Sequence, residues 1–180
     1  MPRSLDTLPA RDEDGSVMVV VETPRGSAAK FKFDPDLNAI RLSRPLPAGV
    51  VYPHDWGFVP STCAADGDPL DVMILWEGTS YPGVVVACRL LGLLKVEQTN
   101  LGTRVRERND RLVTLPVRAM EAAGIASIFD LPSRRRAELE RFFLNAVAFE
   151  GKDVTLLGWG GPDEGAAALE AALATAQQAR

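Results

Sequence analysis

The chain has 180 residues, of which 46% are hydrophobic and 24% charged, and its formal net charge is −4 at pH 7. This length and composition predict one globular domain with a substantial core, and the negative charge argues against general nucleic-acid binding. Two cysteines and a single histidine exclude a disulfide framework and any site built from several histidines. No stretch approaches the roughly 18 apolar residues of a membrane span, and the N-terminus lacks an apolar signal region, so we expect a cytoplasmic protein without membrane or nucleic-acid partners.

Strand patterns come first along the chain. Residues 1–15 are expected to form a flexible N-terminal arm, followed by a single domain over 16–180. Residues 18–21 are an apolar run typical of a buried strand, and residues 30–33 alternate so that Lys30 and Lys32 share one face. The hairpin partner of this second strand is expected at 39–42. Further strand patterns follow at 70–76, 84–95 and 112–117.

Helix patterns follow the strands. Ser133 is a candidate N-cap after Pro132. Apolar residues then recur at the spacing of a core-facing helix, at Leu139, Phe142, Phe143 and Ala146. A last, alanine-rich helix is predicted over about 163–178. Strands first and helices last predict an α+β, mainly β domain whose sheet can close into a small barrel.

Three aspartates, Asp66, Asp68 and Asp71, lie within six residues directly before an apolar strand. Carboxylates this close repel one another unless a cation intervenes, and a hard divalent ion such as Mg²⁺ uses their oxygens as ligands. A solvated turn is the alternative for an isolated Asp-Gly-Asp, but here the third aspartate leads into the strand. A calcium loop fails because Asp71 stands where that loop requires glycine. The cluster therefore indicates a metal site for chemistry on phosphate.

Basic and aromatic residues upstream are candidate contacts for that phosphate. Lys30 lies in the first hairpin and Arg44 follows its second strand. An isolated basic residue is usually a solvated surface group, but a metal-bound phosphate also needs cations on its outer oxygens. Tyr52 and Trp56 belong to the aromatic stretch 52–58. They either pack in the core or point their O–H and N–H groups towards phosphate, and the sequence leaves both open.

The segment Asp66-Gly67-Asp68-Pro69-Leu70-Asp71-Val72 matches the signature of the family I soluble inorganic pyrophosphatases. The chain resembles a divergent bacterial-type member of this family over roughly residues 17–175. Further matches are residues 20–24, Lys30, Arg44, Tyr52-Pro53, Gly57-Phe58, residues 92–95, Phe142-Phe143, Lys152 and Gly158-Trp159. The resemblance implies a five-stranded closed OB-like β-barrel with two or three α-helices packed outside. It also implies a homo-oligomer, a hexamer.

The same resemblance implies an activity and roles for residues. The activity is Mg²⁺-dependent hydrolysis of pyrophosphate to two phosphates, with several Mg²⁺ ions per site and Mn²⁺ or another divalent ion as alternatives. Asp68 would be the general base that takes a proton from a metal-bound water. The implied metal ligands are Asp66, Asp71, Asp110 and Glu22. The implied substrate contacts are Lys30, Arg44, Trp56 and Arg111.

Several positions depart from the family pattern. Lys32 stands where the family has an acidic residue that helps to bind additional metals. Simple alignment places a metal-binding aspartate on Asn109, but we assign that role to the adjacent Asp110 because an amide is a poorer Mg²⁺ ligand. Ala146 and Val147 stand where a Tyr-Lys pair is expected. Two alternatives therefore stay open: a hydrolase of another phosphoanhydride, or a weakly active or non-catalytic homologue that acts as a binding protein.

Overall fold

The computed structural model describes residues 4–178, in which five strands close into a ring. Around the ring these are β1 (Val17–Thr23), β4 (Asp55–Phe58), β5 (Asp71–Ile74), β8 (Arg111–Pro116) and β6 (Val85–Thr99), which pairs again with β1. All neighbours are antiparallel except β5 and β8, which run in parallel. The ring confirms the predicted mainly β fold.

The other elements surround this ring. A two-stranded hairpin consists of β2 (Ala29–Asp34) and β3 (Ala39–Pro45). Two further strands, β7 (Arg106–Arg108) and β9 (Thr155–Gly160), pair with the long strand β6. The α-helices are α1 (Ser133–Ala146) and α2 (Pro162–Gln178). Both helices begin close to where the sequence predicts them.

The core consists mainly of two apolar clusters, one for each face of the ring strands. On β5, Met73 belongs to the cluster that includes Leu139 of α1, whereas Val72 and Ile74 belong to the cluster that includes Leu169 of α2. Successive residues of a strand point to opposite faces, so a strand buried on both faces has an unbroken apolar sequence. This explains why the sequence after Asp71 shows no alternation.

The N-terminal segment contacts the ring in the part that is described. Leu5 and Leu8 pack against Phe33 and Phe58, and Ala10 is buried. These contacts do not measure the flexibility of the arm, which stays a prediction. Residues 1–3 of the predicted arm and 179–180 of the predicted domain lie outside the described residues. Within residues 4–178, no helix combines the length and the apolar character needed to cross a membrane.

Candidate active site

A cavity of about 890 Å³ opens at the edge of the ring where β5 and β8 begin. Seven of the predicted site residues line it: Glu22, Lys30, Arg44, Asp66, Asp68, Asp71 and Arg111. Among the described residues, Trp56 and Asp110 do not belong to this lining. The fold therefore gathers carboxylates and cations that are distant in sequence into one polar cleft.

Parallel strand pairing brings Asp71 and Arg111 together. β5 begins at Asp71 and β8 at Arg111, with Val72 opposite Leu112. Because parallel strands start at the same edge, both side chains reach the cleft, where Nε of Arg111 lies 3.0 Å from Oδ2 of Asp71. The guanidinium carbon of Arg111 also lies 5.5 Å from the centre of the Phe143 ring, a cation–π contact. The sheet thus fixes a buried cation beside the third aspartate of the motif.

The loop between β4 and β5 carries Asp66 and Asp68. Gly67 between them has a φ of 84°, in the left-handed region that favours glycine. The N–H of Asp68 donates to Oδ1 of Asp66 at 3.2 Å, a local turn that aspartate commonly forms. At the end of the loop, the N–H of Leu70 donates to Oγ1 of Thr62 at 2.9 Å. These turns hold two carboxylates at the mouth of the ring.

The β2–β3 hairpin supplies cations on the other side of the cleft. Lys30 on β2 and Arg44 on β3 are cross-strand partners, and both line the cavity. A side chain of β1 ties the hairpin to the ring, because the N–H of Phe33 donates to Oε1 of Glu22 at 2.6 Å. Cations opposite a carboxylate cluster are the arrangement that a metal-bound phosphate requires.

Two carboxyl groups of the cleft lie where their negative charge is disfavoured. Burial raises the pKa of Glu22 to about 7, against the hydrogen bond from Phe33, and the charge of Asp71 adds to the rise. Burial, followed by the charge of Asp71, also raises the pKa of Asp66 above its usual value. A bound divalent cation would offset both the burial and the repulsion. The donor chemistry of this part of the cleft therefore fits a hard metal ion.

Each of the three clustered aspartates also faces a donor of the protein itself. Nζ of Lys32 lies 2.6 Å from Oδ2 of Asp68. The side-chain amide of Asn109 donates to Oδ2 of Asp66 at 2.5 Å. The third carboxylate faces the guanidinium of Arg111. The chain therefore offsets part of the charge of its own carboxylate cluster.

Asn109, and not Asp110, lies at the cleft. Asn109 is buried, and both its Oδ1 and its backbone carbonyl accept hydrogen bonds from Nη1 of Arg111. Asp110 accepts a hydrogen bond from the N–H of Val96 at 2.9 Å and pairs with Arg108 at 2.8 Å. Alternate residues of an extended chain point in opposite directions, so Asn109 and Arg111 face the cleft while Asp110 faces away. The structure thus does not bring the predicted ligand Asp110 to the other carboxylates.

Trp56, predicted as a substrate contact, lies in the core behind the cleft. Its ring stacks on Phe143 at a centroid distance of 6.1 Å and meets Tyr52 edge-on at 5.9 Å. Phe143 in turn lies under the guanidinium of Arg111. In this arrangement Trp56 packs against the Phe143 ring beneath Arg111 and does not line the cleft, which agrees with packing in the core, one of the two roles that the sequence leaves open.

The end of α1 and the loop after it contact Arg44. Nη2 of Arg44 donates to the backbone carbonyl of Ala146 at 2.8 Å, and its Nε lies 3.0 Å from Oε1 of Glu150. Lys152 also lines the cleft, and burial, followed by the nearby charge of Lys30, lowers its pKa. Where the resemblance predicts a Tyr-Lys pair, the chain therefore places a carboxylate on Arg44 and a lysine further along the loop.

Several residues that line the cleft and contact or lie near its charged groups were not predicted as site residues, among them Lys32, Asn109, Glu150 and Lys152. The alternation of β2 places Lys32 on the same face as Lys30, which is the signal that could have identified it. Lys152 was recognised only as a match to the family. Glu150 carries no such signal, because the loop after α1 reaches Arg44 only through tertiary packing.

Comparison with known proteins identifies the family. A sequence profile described as inorganic pyrophosphatase matches residues 19–177. The inorganic pyrophosphatase of Thermus thermophilus is 39% identical over 160 residues, which cover 87% of this chain and 88% of that protein. The chain belongs to the inorganic pyrophosphatase family. This membership confirms the resemblance read from the sequence.

Other members of the family agree with this. The inorganic pyrophosphatase of Synechocystis sp. is 35% identical over 155 residues, 86% of this chain and 88% of that protein. The crystal structure of the Thermus thermophilus inorganic pyrophosphatase superposes with a TM-score of 0.88 at 35% identity, covering 97% of this chain and 99% of that chain. The whole pyrophosphatase fold is therefore present.

A divalent ion bound in this cleft would have carboxylate oxygens of Glu22, Asp66 and Asp71 as candidate donors, since all three line it. In the part of the chain that the structure describes, no three Asp, Glu, His or Cys side chains are close enough to enclose one ion. Mg²⁺ commonly binds through one or two carboxylates and completes its coordination with water and substrate phosphate. The cleft fits that manner of binding. Two of its carboxylates, those of Asp68 and Asp71, are also paired with Lys32 and Arg111, which add positive charge of the protein itself.

Proposed function

We propose that the chain hydrolyses pyrophosphate to two phosphate ions with Mg²⁺ as its cofactor. The observation that carries the proposal is the cleft in which Asp66, Asp68 and Asp71 face Lys30 and Arg44. Carboxylates on one side and cations on the other are complementary to a phosphate anion that arrives with metal ions. Membership of the inorganic pyrophosphatase family supports the choice of substrate.

Asp68 is the proposed general base. Its side chain is 51% exposed, so water reaches its oxygens, whereas Asp66 and Glu22 are more deeply placed. Bound Mg²⁺ would lower the pKa of the attacking water and neutralise phosphate charge. Glu22, Asp66 and Asp71 are the proposed ligands. Asp68 then accepts the proton that the water loses as it attacks phosphorus.

Lys30, Arg44, Arg111 and Lys152 are the proposed phosphate contacts. Negative charge on the outer phosphate oxygens must be offset as the bond between the two phosphates breaks. The planar guanidinium groups of Arg44 and Arg111 suit paired phosphate oxygens, while each lysine provides a point charge. Lys152 supports this role because it is a half-buried cation that lines the cleft and lies close enough to Lys30 for their charges to interact.

A phosphate-release assay tests the proposal. Purified protein is incubated with pyrophosphate with and without Mg²⁺, and with excess chelator, alongside Asp68→Asn purified in the same way. We expect Mg²⁺-dependent release from the wild type and a loss of about 10²–10⁴-fold in the variant. Equal release in chelator, or equal release by the variant preparation, would contradict the proposal and reveal another reaction or a contaminating enzyme.

A larger phosphoanhydride is the second candidate substrate. The cavity of about 890 Å³ extends beyond the phosphate cations to Thr7, Asp36 and Ala176, and Ala146 and Val147 carry no polar side-chain group. This leaves space next to the phosphate contacts for an organic group. ATP and a sugar nucleotide are therefore included in the assay, and faster phosphate release from either than from pyrophosphate would favour this candidate.

We also propose a cytoplasmic homo-oligomer, a hexamer, that binds neither nucleic acid nor membranes. The net charge of −4 supports the absence of a nucleic-acid partner, since such partners require a basic face. Exposed apolar side chains, among them Met120 and Phe149, support contact between chains. Light scattering coupled to size-exclusion chromatography tests the hexamer, and a monomeric mass would contradict it.

A further inference from the structure

Lys32 introduces a positive charge into the carboxylate side of the cleft. It lies on β2 on the same face as Lys30, and it lines the cavity. Its Nζ is 2.6 Å from Oδ2 of Asp68, and the negative charges of Asp71 and Glu22 act on it as well. An ammonium group therefore occupies space next to the carboxylates that would otherwise attract a cation from solution.

Arg111 provides a second, more deeply buried charge. It is 6% exposed, and its Nε lies 3.0 Å from Oδ2 of Asp71. Within the described residues this buried Nε has no hydrogen-bond partner of good geometry, so its contact with the carboxylate is one of charge, while the hydrogen bonds from Nη1 to Asn109 and the Phe143 ring hold the guanidinium in place. Two cations of the chain are thus directed at two of the three clustered aspartates, and each repels a divalent ion that approaches the same oxygen.

We propose that Lys32 takes the place of a divalent ion at Asp68, so that the cleft binds fewer metal ions than it would with a carboxylate at position 32. Ions then bind on the side of Glu22 and Asp66, where no cationic side chain of the described residues lies within salt-bridge distance of the carboxylates. The inference takes the type of ion, a hard divalent cation, from the proposed function. It does not depend on the proposed reaction.

The geometry leaves Asp68 able to act. Lys32 contacts Oδ2, while the side chain of Asp68 is 51% exposed and its other oxygen, Oδ1, accepts no hydrogen bond from the residues that the structure describes. An oxygen that is free of both lysine and metal is suited to accept a proton from water. Lys32 is therefore a positioning residue: it orients the carboxylate and supplies charge without itself entering the reaction.

Metal titration of the full chain without substrate tests this directly. Mg²⁺ and Mn²⁺ binding are measured by calorimetry for the wild type, Lys32→Gln and Lys32→Glu. The matched controls are Arg41→Gln and Arg41→Glu. Arg41 is the cross-strand partner of Lys32 and also lines the cavity, but it pairs with Asp34 at 2.8 Å. Each pair of variants changes the net charge equally, and Lys32 is 44% exposed, so we expect folded protein.

We expect Lys32→Glu to bind one additional ion per chain, or to bind ions at least about tenfold more tightly. Lys32→Gln should show a smaller gain, and both Arg41 variants should stay within about twofold of the wild type. Equal binding by the wild type and Lys32→Glu would overturn the proposal, and so would equal gains in Lys32→Glu and Arg41→Glu. Phosphate release is measured separately, so loss of the proposed activity and failure of this inference are distinguishable.

Discussion

Asp71 and Arg111 pair at 3.0 Å because the strands that begin with these residues run in parallel and start at the same edge of the sheet. Their side chains are 24% and 7% exposed, so water and salt screen the pair only in part. Asp71 is also a proposed metal ligand. Its carboxylate would therefore be shared between Arg111 and a cation from solution.

Asp71→Asn is expected to weaken Mg²⁺ binding and turnover together. The variant removes a proposed metal ligand and leaves the buried Arg111 without its carboxylate, so the local charge becomes positive where the ion is proposed to bind. Asp68→Asn should instead lower turnover by about 10²–10⁴-fold and change Mg²⁺ affinity much less, because the proposed role of Asp68 is to accept a proton. The measurements are calorimetric Mg²⁺ titration and kcat at saturating Mg²⁺.

Asp68→Asn and Asp71→Asn serve as controls for each other, because each changes one aspartate of the same cleft to the isosteric amide. Equal losses of Mg²⁺ affinity in both would show that the roles of Asp68 and Asp71 are divided wrongly. Thermal unfolding of both proteins, measured without metal, separates loss of folding from loss of ligands.

Arg111→Ala is expected to raise the KM for pyrophosphate by about tenfold or more, because one charge-assisted hydrogen bond contributes roughly 1.5–3 kcal/mol. Arg111→Lys keeps the charge and should recover much of the loss. The controls are Arg104→Ala and Arg106→Ala, because residues 104–111 contain four arginines, including Arg111. Arg106 pairs with Glu97 at 2.8 Å, and neither control residue belongs to the described lining of the cleft.

KM is measured at saturating Mg²⁺ for all four variants. We expect the two control variants to stay within about twofold of the wild type. An equal increase in Arg106→Ala would mean that β7 also reaches the substrate. An unchanged KM in Arg111→Ala would remove Arg111 from the phosphate contacts.

Local sequence patterns predicted most strands and both helices. The strand patterns at 18–21, 30–33 and 39–42 correspond to β1, β2 and β3, because alternation and unbroken apolar runs are direct consequences of burial. β7 was not predicted. Its three residues, Arg106–Arg108, are all charged and extend a hairpin of β6 at the surface, so no apolar pattern marks it. Its pairing depends on tertiary context.

The sequence predicted the part of the candidate site whose residues belong to one short motif. It predicted only some of the residues that are distant in sequence and meet only in the folded chain. Asp66, Asp68 and Asp71 are close in sequence and line the cleft together. The choice between Asn109 and Asp110 depended on which way a single residue points, and this follows from the register of β8 against β5. Charge chemistry favoured the aspartate, whereas the backbone placed the amide at the cleft.

Glu150→Gln is expected to lower the KM for pyrophosphate by about three- to tenfold. Oε1 of Glu150 lies 3.0 Å from Nε of Arg44, so its carboxylate would compete with phosphate for the guanidinium that we propose as a substrate contact. The matched control is Glu138→Gln on α1, whose carboxylate pairs with Arg134 on the exposed helix face. The pair formed by Glu150 is only partly exposed, so its charge is screened less.

The initial rate is measured against pyrophosphate concentration at saturating Mg²⁺ for both variants. A higher KM in Glu150→Gln would show that Glu150 holds Arg44 in its productive position and does not compete with phosphate. A decrease of KM in Glu138→Gln of the same size would show a general effect of net charge.

His54 is expected to make stability depend on pH. It lies in a second cavity of about 620 Å³, where it faces Arg25, Glu77 and Arg135. Burial lowers the pKa of His54 below its ordinary value of 6.5, against the hydrogen bond to the carbonyl of Trp76. When the pH falls through this ordinary value, the unfolded chain binds the proton first. The stability that the neutral imidazole provides is therefore complete above about pH 6.5 and is lost as the pH falls below it.

His54→Gln removes this titration, and no other histidine contributes, because the chain has only one. Free energies of unfolding are measured by urea denaturation from about pH 7.5 to about 5.5. We expect the wild type to lose stability relative to the variant on acidification, with a slope of at most about 1.4 kcal/mol per pH unit for the single proton. A difference between the two proteins that stays constant over this range would show that the pKa of His54 is the same in the folded and unfolded chains.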